Sequence, residues 1–160
     1  MKAVYSYTFV SGPDLDKGRE DLFNLEEGKC RDRRYTLNHP VYMVAECDIG
    51  RILARSEAGF VFDGRSGSPL IDRFIPNLGS MDERAAWLFH DLLAYGQSLD
   101  FEQTNSFLRC FLRDQAGYSR FKAWVVEQAV GMDDSWYGEP PEGDWCRCNL
   151  GKVQTIWVPA

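Results

Sequence analysis

The stretch from residue 80 to residue 96, SMDERAAWLFHDLLAYG, is typical of an amphipathic helix with a defined start. Ser80 and Glu83 form a capping-box pattern, in which each side chain accepts a hydrogen bond from the backbone amide of the other residue. We expect the helix to end near Gly96. Apolar residues recur between these limits at helical spacing and predict one inner face: Ala85, Ala86, Leu88, Phe89, Leu92 and Leu93.

Two further helices are expected downstream. The second begins at Asp100, with Gln103 as its capping partner, and is stopped by Gly117. Its inner face is expected to carry Phe101, Thr104, Phe107, Leu108, Phe111 and Leu112. The third helix is expected to run from Ser119 to Gly131.

The part of the chain before these helices is rich in residues that favour strands. Residues 4–10 alternate between apolar and polar side chains and predict a strand. Residues 35–45 predict an edge or irregular strand, because Pro40 has no amide hydrogen to donate to a neighbouring strand. Residues 50–62 have the pattern of a hairpin.

The order of these elements indicates an α+β fold, since N-terminal strands and hairpins come first and a three-helix segment follows. We assign residues 1–131 to a single domain and residues 132–160 to an extended C-terminal arm that packs on the domain or on a partner. The arm is acidic and aromatic, and residues 153–158 are compatible with one more strand. Its candidate binding residues are Trp136, Tyr137 and Trp145.

The composition of the 160 residues restricts the classes of function. The net charge is -6 and the pI about 4.9, which argues against a nucleic-acid-binding surface because phosphate binding needs clustered Lys and Arg. No apolar run reaches the roughly 20 residues of a membrane span, and no signal-peptide pattern is present. We therefore expect a cytoplasmic protein with reduced thiols among its five cysteines. Two interpretations remain for Cys146 and Cys148: they are ordinary thiols, or they are ligands of a metal ion.

His90, Asp91 and Asn105 are the first candidates for chemistry. His90 is expected at the edge of the apolar face of the first helix, where a half-buried imidazole can act as a general base. The alternative is a structural histidine whose hydrogen bonds are satisfied. Asn105 falls on the inner stripe of the second helix, so in an antiparallel hairpin its amide could bond one ring nitrogen of His90. A structural hydrogen bond between helices, or to a loop, is the alternative for Asn105.

The segment DGRSGSP, residues 63–69, is the third candidate. Gly64 and Gly67 allow backbone conformations that bring the chain close to a ligand. Asp63, Ser66 and Ser68 carry oxygens suited to a hard cation such as calcium. The alternative is a tight turn whose polar side chains satisfy local amides.

The run GFVFDGRSGSP, the helix with His90-Asp91 and the later segment SRFKAW resemble a phage and prophage family, domain of unknown function 1353. The resemblance covers about residues 59–131. Members commonly have an Ala-Asp-x-x-Phe helix, and the position of that Asp is Asn105 here. The resemblance implies a phage protein located in the host cytoplasm or in the virion.

The same layout resembles, more weakly, secretory phospholipases of the A-two type. That resemblance implies that His90 activates water, that Asp91 holds calcium together with Asp63, Gly64 and Ser66, and that Asn105 orients His90. Their disulfide framework is absent, and Asn105 stands where those enzymes have an Asp. A neutral amide stabilises an imidazolium less well than a carboxylate does.

Three functions follow as hypotheses from these residues and resemblances. The first is a phage accessory or virion-associated interaction protein, in the tail or head, built on a degenerate hydrolase scaffold. The second is a calcium-dependent ester hydrolase that uses His90 and Asp91. The third is an inhibitor of a host defence protein, since an acidic protein can occupy a positively charged site. The partners implied are other phage proteins or host proteins.

Overall fold

The structure, a computed structural model, describes residues 1–10, 23–24, 35–37, 39–62, 80–131, 149 and 151–160. Within these ranges the chain forms β1 (Val4–Phe9), β2 (Phe23–Asn24), β3 (Tyr35–Leu37), β4 (Val41–Cys47), β5 (Gly50–Ser56), β6 (Val61–Phe62), α1 (Met81–Gly96), α2 (Phe101–Asp114), α3 (Arg120–Val130) and β7 (Val153–Pro159). Strands at the N-terminus are followed by three helices, so the predicted α+β class is confirmed.

A four-stranded antiparallel sheet, in the order β1-β4-β5-β7, forms one layer of the fold. Its centre is the hairpin of β4 and β5, in which Val41 pairs with Ser56 and Cys47 pairs with Gly50. Gly50 has a φ of 125°, and a Cβ there would lie 2.2 Å from the carbonyl oxygen of Val158. Glycine is therefore needed at this corner, where β5 begins beside the end of β7. The short strands form a second sheet in the order β2-β3-β6.

Two of the strand predictions were wrong about pairing. Residues 35–45 were expected to form an edge or irregular strand, but β4 lies inside the main sheet, between β1 and β5. Residues 50–62 were expected to fold as a hairpin, but β5 pairs with β4 and β7, while β6 pairs with β3. Both predictions failed because the pairing partners lie elsewhere in the chain: β1 pairs along one edge of β4, and the short turn at Asp48 and Ile49 places β5 along the other.

The three helices begin where their capping patterns predict. Ser80, Asp100 and Ser119 are the N-cap residues, and each side chain accepts a hydrogen bond from the backbone amide three residues later. α1 ends at Gly96, as expected. α2 ends slightly before the expected stop at Gly117, whose φ of 74° lets the chain turn towards α3. None of these three helices, the helices of the described residues, is long and apolar enough to cross a membrane.

Helices α1 and α2 form an antiparallel hairpin that covers one face of the main sheet. The rings of Phe89 and Phe107 join the two helices, with their centroids 5.1 Å apart. Phe111 of α2 reaches Tyr7 of β1, with ring centroids 4.7 Å apart. Ile52 of β5 is fully buried in the same core, and α3 packs against α2.

The expected C-terminal arm is partly supported. Its last residues form β7, which pairs with β5 from Val153 to Pro159 and so packs on the domain as a strand of the main sheet. Trp136, Tyr137 and Trp145, the candidate binding residues of the arm, lie outside the described residues.

The carboxylate of Asp114 ties the end of α2 to the start of β1. It accepts a hydrogen bond from the Val4 amide at 3.0 Å and two from the Arg113 guanidinium at 2.5 and 2.7 Å. Partial burial opposes ionisation, but these hydrogen bonds and the charges of Arg113 and Arg120 outweigh it and lower the pKa of Asp114.

We expect Asp114 to stabilise the fold above the ordinary Asp pKa of about 3.9. This contribution is lost as the pH falls through the lower pKa of the folded state, because the proton then binds the carboxylate in both states. Asp114→Asn should lower the free energy of unfolding in urea at pH 7, and its difference from the wild type should shrink at pH 3. Glu102→Gln removes an exposed carboxylate of the same helix and is the matched control. An equal effect of Asp114→Asn at both pH values would contradict this role.

Candidate functional site

His90 lies on the side of α1 that faces α2. Its Nε2 atom is 3.0 Å from Oδ1 of Asn105, so this pair joins the two helices across their interface. The antiparallel hairpin and the contact that the sequence suggested are therefore both present. His90 is only 7% exposed, which is more buried than a position at the edge of the apolar face implies.

Asn105 supplies the polar partner that a buried imidazole needs. Its own residue surface is 5% exposed, and its Oδ1 atom faces the ring. Nε2 of His90 is therefore the protonated nitrogen that donates this hydrogen bond. The second ring nitrogen, Nδ1, is on the side of Asp91.

Asp91 lies beside that second nitrogen. One of its carboxylate oxygens is 3.4 Å from Nδ1 of His90, which is long for a hydrogen bond, and its side chain is 15% exposed. At this distance the carboxylate lies next to the ring without forming a short hydrogen bond to it. The site thus combines an imidazole that is oriented by Asn105 with a neighbouring carboxylate.

The residues expected to hold calcium are only partly visible. Asp91 is placed beside His90, whereas Asp63, Gly64 and Ser66 lie outside the described residues. Within the described part of the chain, no group of three or more His, Cys, Asp or Glu side chains is arranged to hold a metal ion. Calcium binding therefore stays a prediction from the resemblance.

The two cysteines in the described ranges, Cys47 and Cys110, are free and buried. Burial raises the pKa of the Cys47 thiol to about 12, and the nearby carboxylate of Asp48 acts in the same direction. Burial also raises the pKa of Cys110. Both thiols stay protonated at neutral pH, so neither is a ready nucleophile. Cys146 and Cys148 lie outside the described residues.

One polar cluster next to Asn105 was missed by the sequence predictions. Glu127 of α3 accepts hydrogen bonds from Ser106 at 3.1 Å and from Arg109 at 2.9 Å. Arg109 follows Asn105 by one helical turn and lies on the same side of α2. The polar residues on this side of α2 therefore continue towards α3. Its sequence signal is the complementary charge of Arg109 and Glu127, but only the packing of α3 on α2 identifies the pair.

Comparison with known proteins gives no match to a protein-family model, a curated protein or a solved structure. The resemblances to the phage family and to secretory phospholipases therefore stay predictions.

A double-mutant cycle tests the bond between His90 and Asn105. Asn105→Leu keeps the size of the side chain but leaves the buried Nε2 of His90 without its partner, which should cost about 1–3 kcal/mol of unfolding free energy. The double variant with His90→Leu should cost about 1 kcal/mol less than the sum of the single variants. Urea denaturation measures all four proteins. Ser106→Ala, one residue along α2, is the control and should be additive with His90→Leu. Additive costs for His90 and Asn105 would show that the bond does not stabilise the fold.

Proposed function

We propose that this chain is a phage-associated interaction protein whose α1–α2 hairpin keeps a hydrolase-like arrangement without efficient turnover. The observation that carries the proposal is the neutral amide of Asn105, which lies 3.0 Å from Nε2 of His90. A carboxylate in that place would stabilise the imidazolium formed when His90 takes a proton. An amide orients the ring but does not balance the charge, and such a replacement lowers turnover by orders of magnitude in a catalytic triad.

The burial of His90 supports the same conclusion. A general base has to come within hydrogen-bonding distance of the proton that it removes, directly or through one water molecule. With 7% of its surface exposed, His90 offers a substrate little access. Its bond to Asn105 instead satisfies a polar group inside the helix pair, which is a structural contribution.

The surface that we assign to a partner is the outer sheet face, the face of the main sheet opposite α1 and α2. Val44, Leu53 and Ile156 are paired across neighbouring strands and form an apolar row on this face. Ile156 is 58% exposed and Val158, on the same strand, is 47% exposed. Adjacent exposed apolar residues of this kind are typical of protein interaction surfaces, whereas single ones are common on any protein.

The partner on the outer sheet face is a neighbouring protein subunit of the phage particle. Arg51 and Arg55 lie among the apolar residues of this face. Arg51 is ion-paired with Glu46 at 2.6 Å, and Arg55 is ion-paired with Glu57 at 2.5 Å. An apolar centre surrounded by paired charges matches the composition of a protein–protein contact. The charges are already balanced within the chain, so the subunit that covers this face needs apolar area more than net charge.

A calcium-dependent ester hydrolase is the second candidate. The contact of Asp91 with Nδ1 of His90 favours it, since an oriented imidazole beside a carboxylate can accept a proton from water. In this function, Asp91 and the residue 63–66 segment would hold calcium, and Asn105 would orient His90. Activity in this case has to depend on His90 and on calcium.

The first test is the composition of purified particles of the phage that encodes this chain. We expect mass spectrometry to detect the wild-type chain and to find at least tenfold less of Ile156→Asp, because a carboxylate would be buried against an apolar partner. Gln128→Asp adds the same charge at an exposed position of α3 and should be retained. Circular dichroism checks that both variants are folded. Absence of the wild-type chain from the particles would contradict the interaction function.

Hydrolysis of a fluorogenic phospholipid separates the two candidates. We expect no calcium-dependent activity of the wild type above that of His90→Ala. Wild-type activity that disappears in His90→Ala and in the absence of calcium would overturn the proposal in favour of the hydrolase. Asn105→Asp should then raise the rate, because it places a carboxylate beside the imidazole.

A further inference from the structure

A basic cleft lies between the N-terminal residues, α2 and the start of α3. Its volume is about 450 Å³, within the range of small-molecule sites. It is lined by Met1, Lys2, Arg109, Arg113, Arg120 and Trp124. Four of these six side chains are cationic, although the chain as a whole has a net charge of -6.

Two of the arginines are fixed in place by bonds to the protein itself. Arg109 donates to Glu127 at 2.9 Å and to the Met1 carbonyl oxygen at 3.1 Å. Arg113 donates to Asp114 and, at 2.7 Å, to the Lys2 carbonyl oxygen. Because these contacts hold the guanidinium groups, a ligand would lose less side-chain entropy in binding them than with mobile arginines.

The other two cations leave the cleft with excess positive charge. Among the described residues, neither Lys2 nor Arg120 forms an ion pair with a carboxylate. In the same part of the chain, the carboxylates paired with the cations of the cleft are Glu127 and Asp114, and Asp114 also interacts with the charge of Arg120. Arg120 also stands at the first position of α3, where the helix dipole adds to the attraction of an anion.

An exposed aromatic ring forms the rim of the cleft. Trp124 is 49% exposed although it is one of the largest apolar side chains. It lies one helical turn after Arg120, so the ring and the guanidinium are on the same side of α3. Phe121 is 73% exposed and extends this aromatic surface, and the centroid of its ring is 6.1 Å from that of Trp124.

We propose that this cleft binds a nucleoside phosphate, with the phosphate among the four cations and the base stacked on Trp124. Guanidinium groups match the geometry of phosphate oxygens, and an indole ring stacks on any base. The cleft has the volume for one such ligand. A nucleic-acid strand fits less well, because the net charge of the chain repels a polyanion that extends beyond the cleft.

Isothermal titration calorimetry with the full chain tests this site, using adenosine monophosphate, inorganic phosphate and a short single-stranded oligonucleotide at low salt. We expect the nucleotide to bind about tenfold more tightly than inorganic phosphate, because only the nucleotide can stack on the ring. Trp124→Ala should remove this difference. Arg120→Ala should lower the affinity for both the nucleotide and inorganic phosphate by about tenfold, since a charge-assisted hydrogen bond to the phosphate is lost.

Arg55→Ala is the matched control, because it removes an exposed arginine from the outer sheet face, away from the cleft. This variant should bind both ligands as the wild type does. Thermal denaturation confirms that each variant is folded. Equal affinities for nucleotide and phosphate would overturn the proposal, and so would binding of the oligonucleotide alone or an unchanged affinity in Arg120→Ala.

Discussion

The burial of α1 is the constraint on which the rest of the structure depends. Residues 85–90 of this helix are all buried, and six consecutive helical residues extend around more than one full turn. The helix is therefore enclosed on all sides over this length, with the main sheet and α2 supplying two of its neighbours. No single apolar stripe describes it, and any polar group within this length has to find a partner inside the protein.

His90 is the polar residue in that enclosed length, and its position explains the pairing with Asn105. The imidazole brings two nitrogen atoms into a region where an unpaired polar group would destabilise the fold. Asn105 comes from the neighbouring helix and satisfies Nε2, while Asp91 lies next to Nδ1 at the more accessible side. The same three residues thus serve the packing of the hairpin and form the arrangement that resembles a hydrolytic site.

The sequence was most informative where structure is set by local chemistry. The starts of all three helices were predicted from Ser80, Asp100 and Ser119, because an N-cap depends on residues only three positions apart. The contact of His90 with Asn105 was also anticipated, since His90 was expected at the edge of the apolar face of the first helix and Asn105 on the inner stripe of the second.

Features that depend on distant segments were missed or incompletely predicted. The pairing of β5 with β4 and β7 depends on residues up to about a hundred positions away, and alternation alone does not select a partner. Trp87 was not included in the predicted inner face of α1, yet it is 1% exposed, because the helix is covered all round. The basic cleft combines Lys2, Arg113 and Arg120, which no sequence motif connects.

The protonation state of His90 gives the most direct test of the central claim, that a buried imidazole is held by the amide of Asn105. Long-range ¹H–¹⁵N correlation NMR at pH 8 distinguishes the two ring nitrogens. The structure predicts a proton on Nε2, and a change of tautomer or of exchange rate in Asn105→Leu. A ring with a proton on Nδ1 and none on Nε2 would contradict the account. Ring signals that do not respond to Asn105→Leu would contradict it as well.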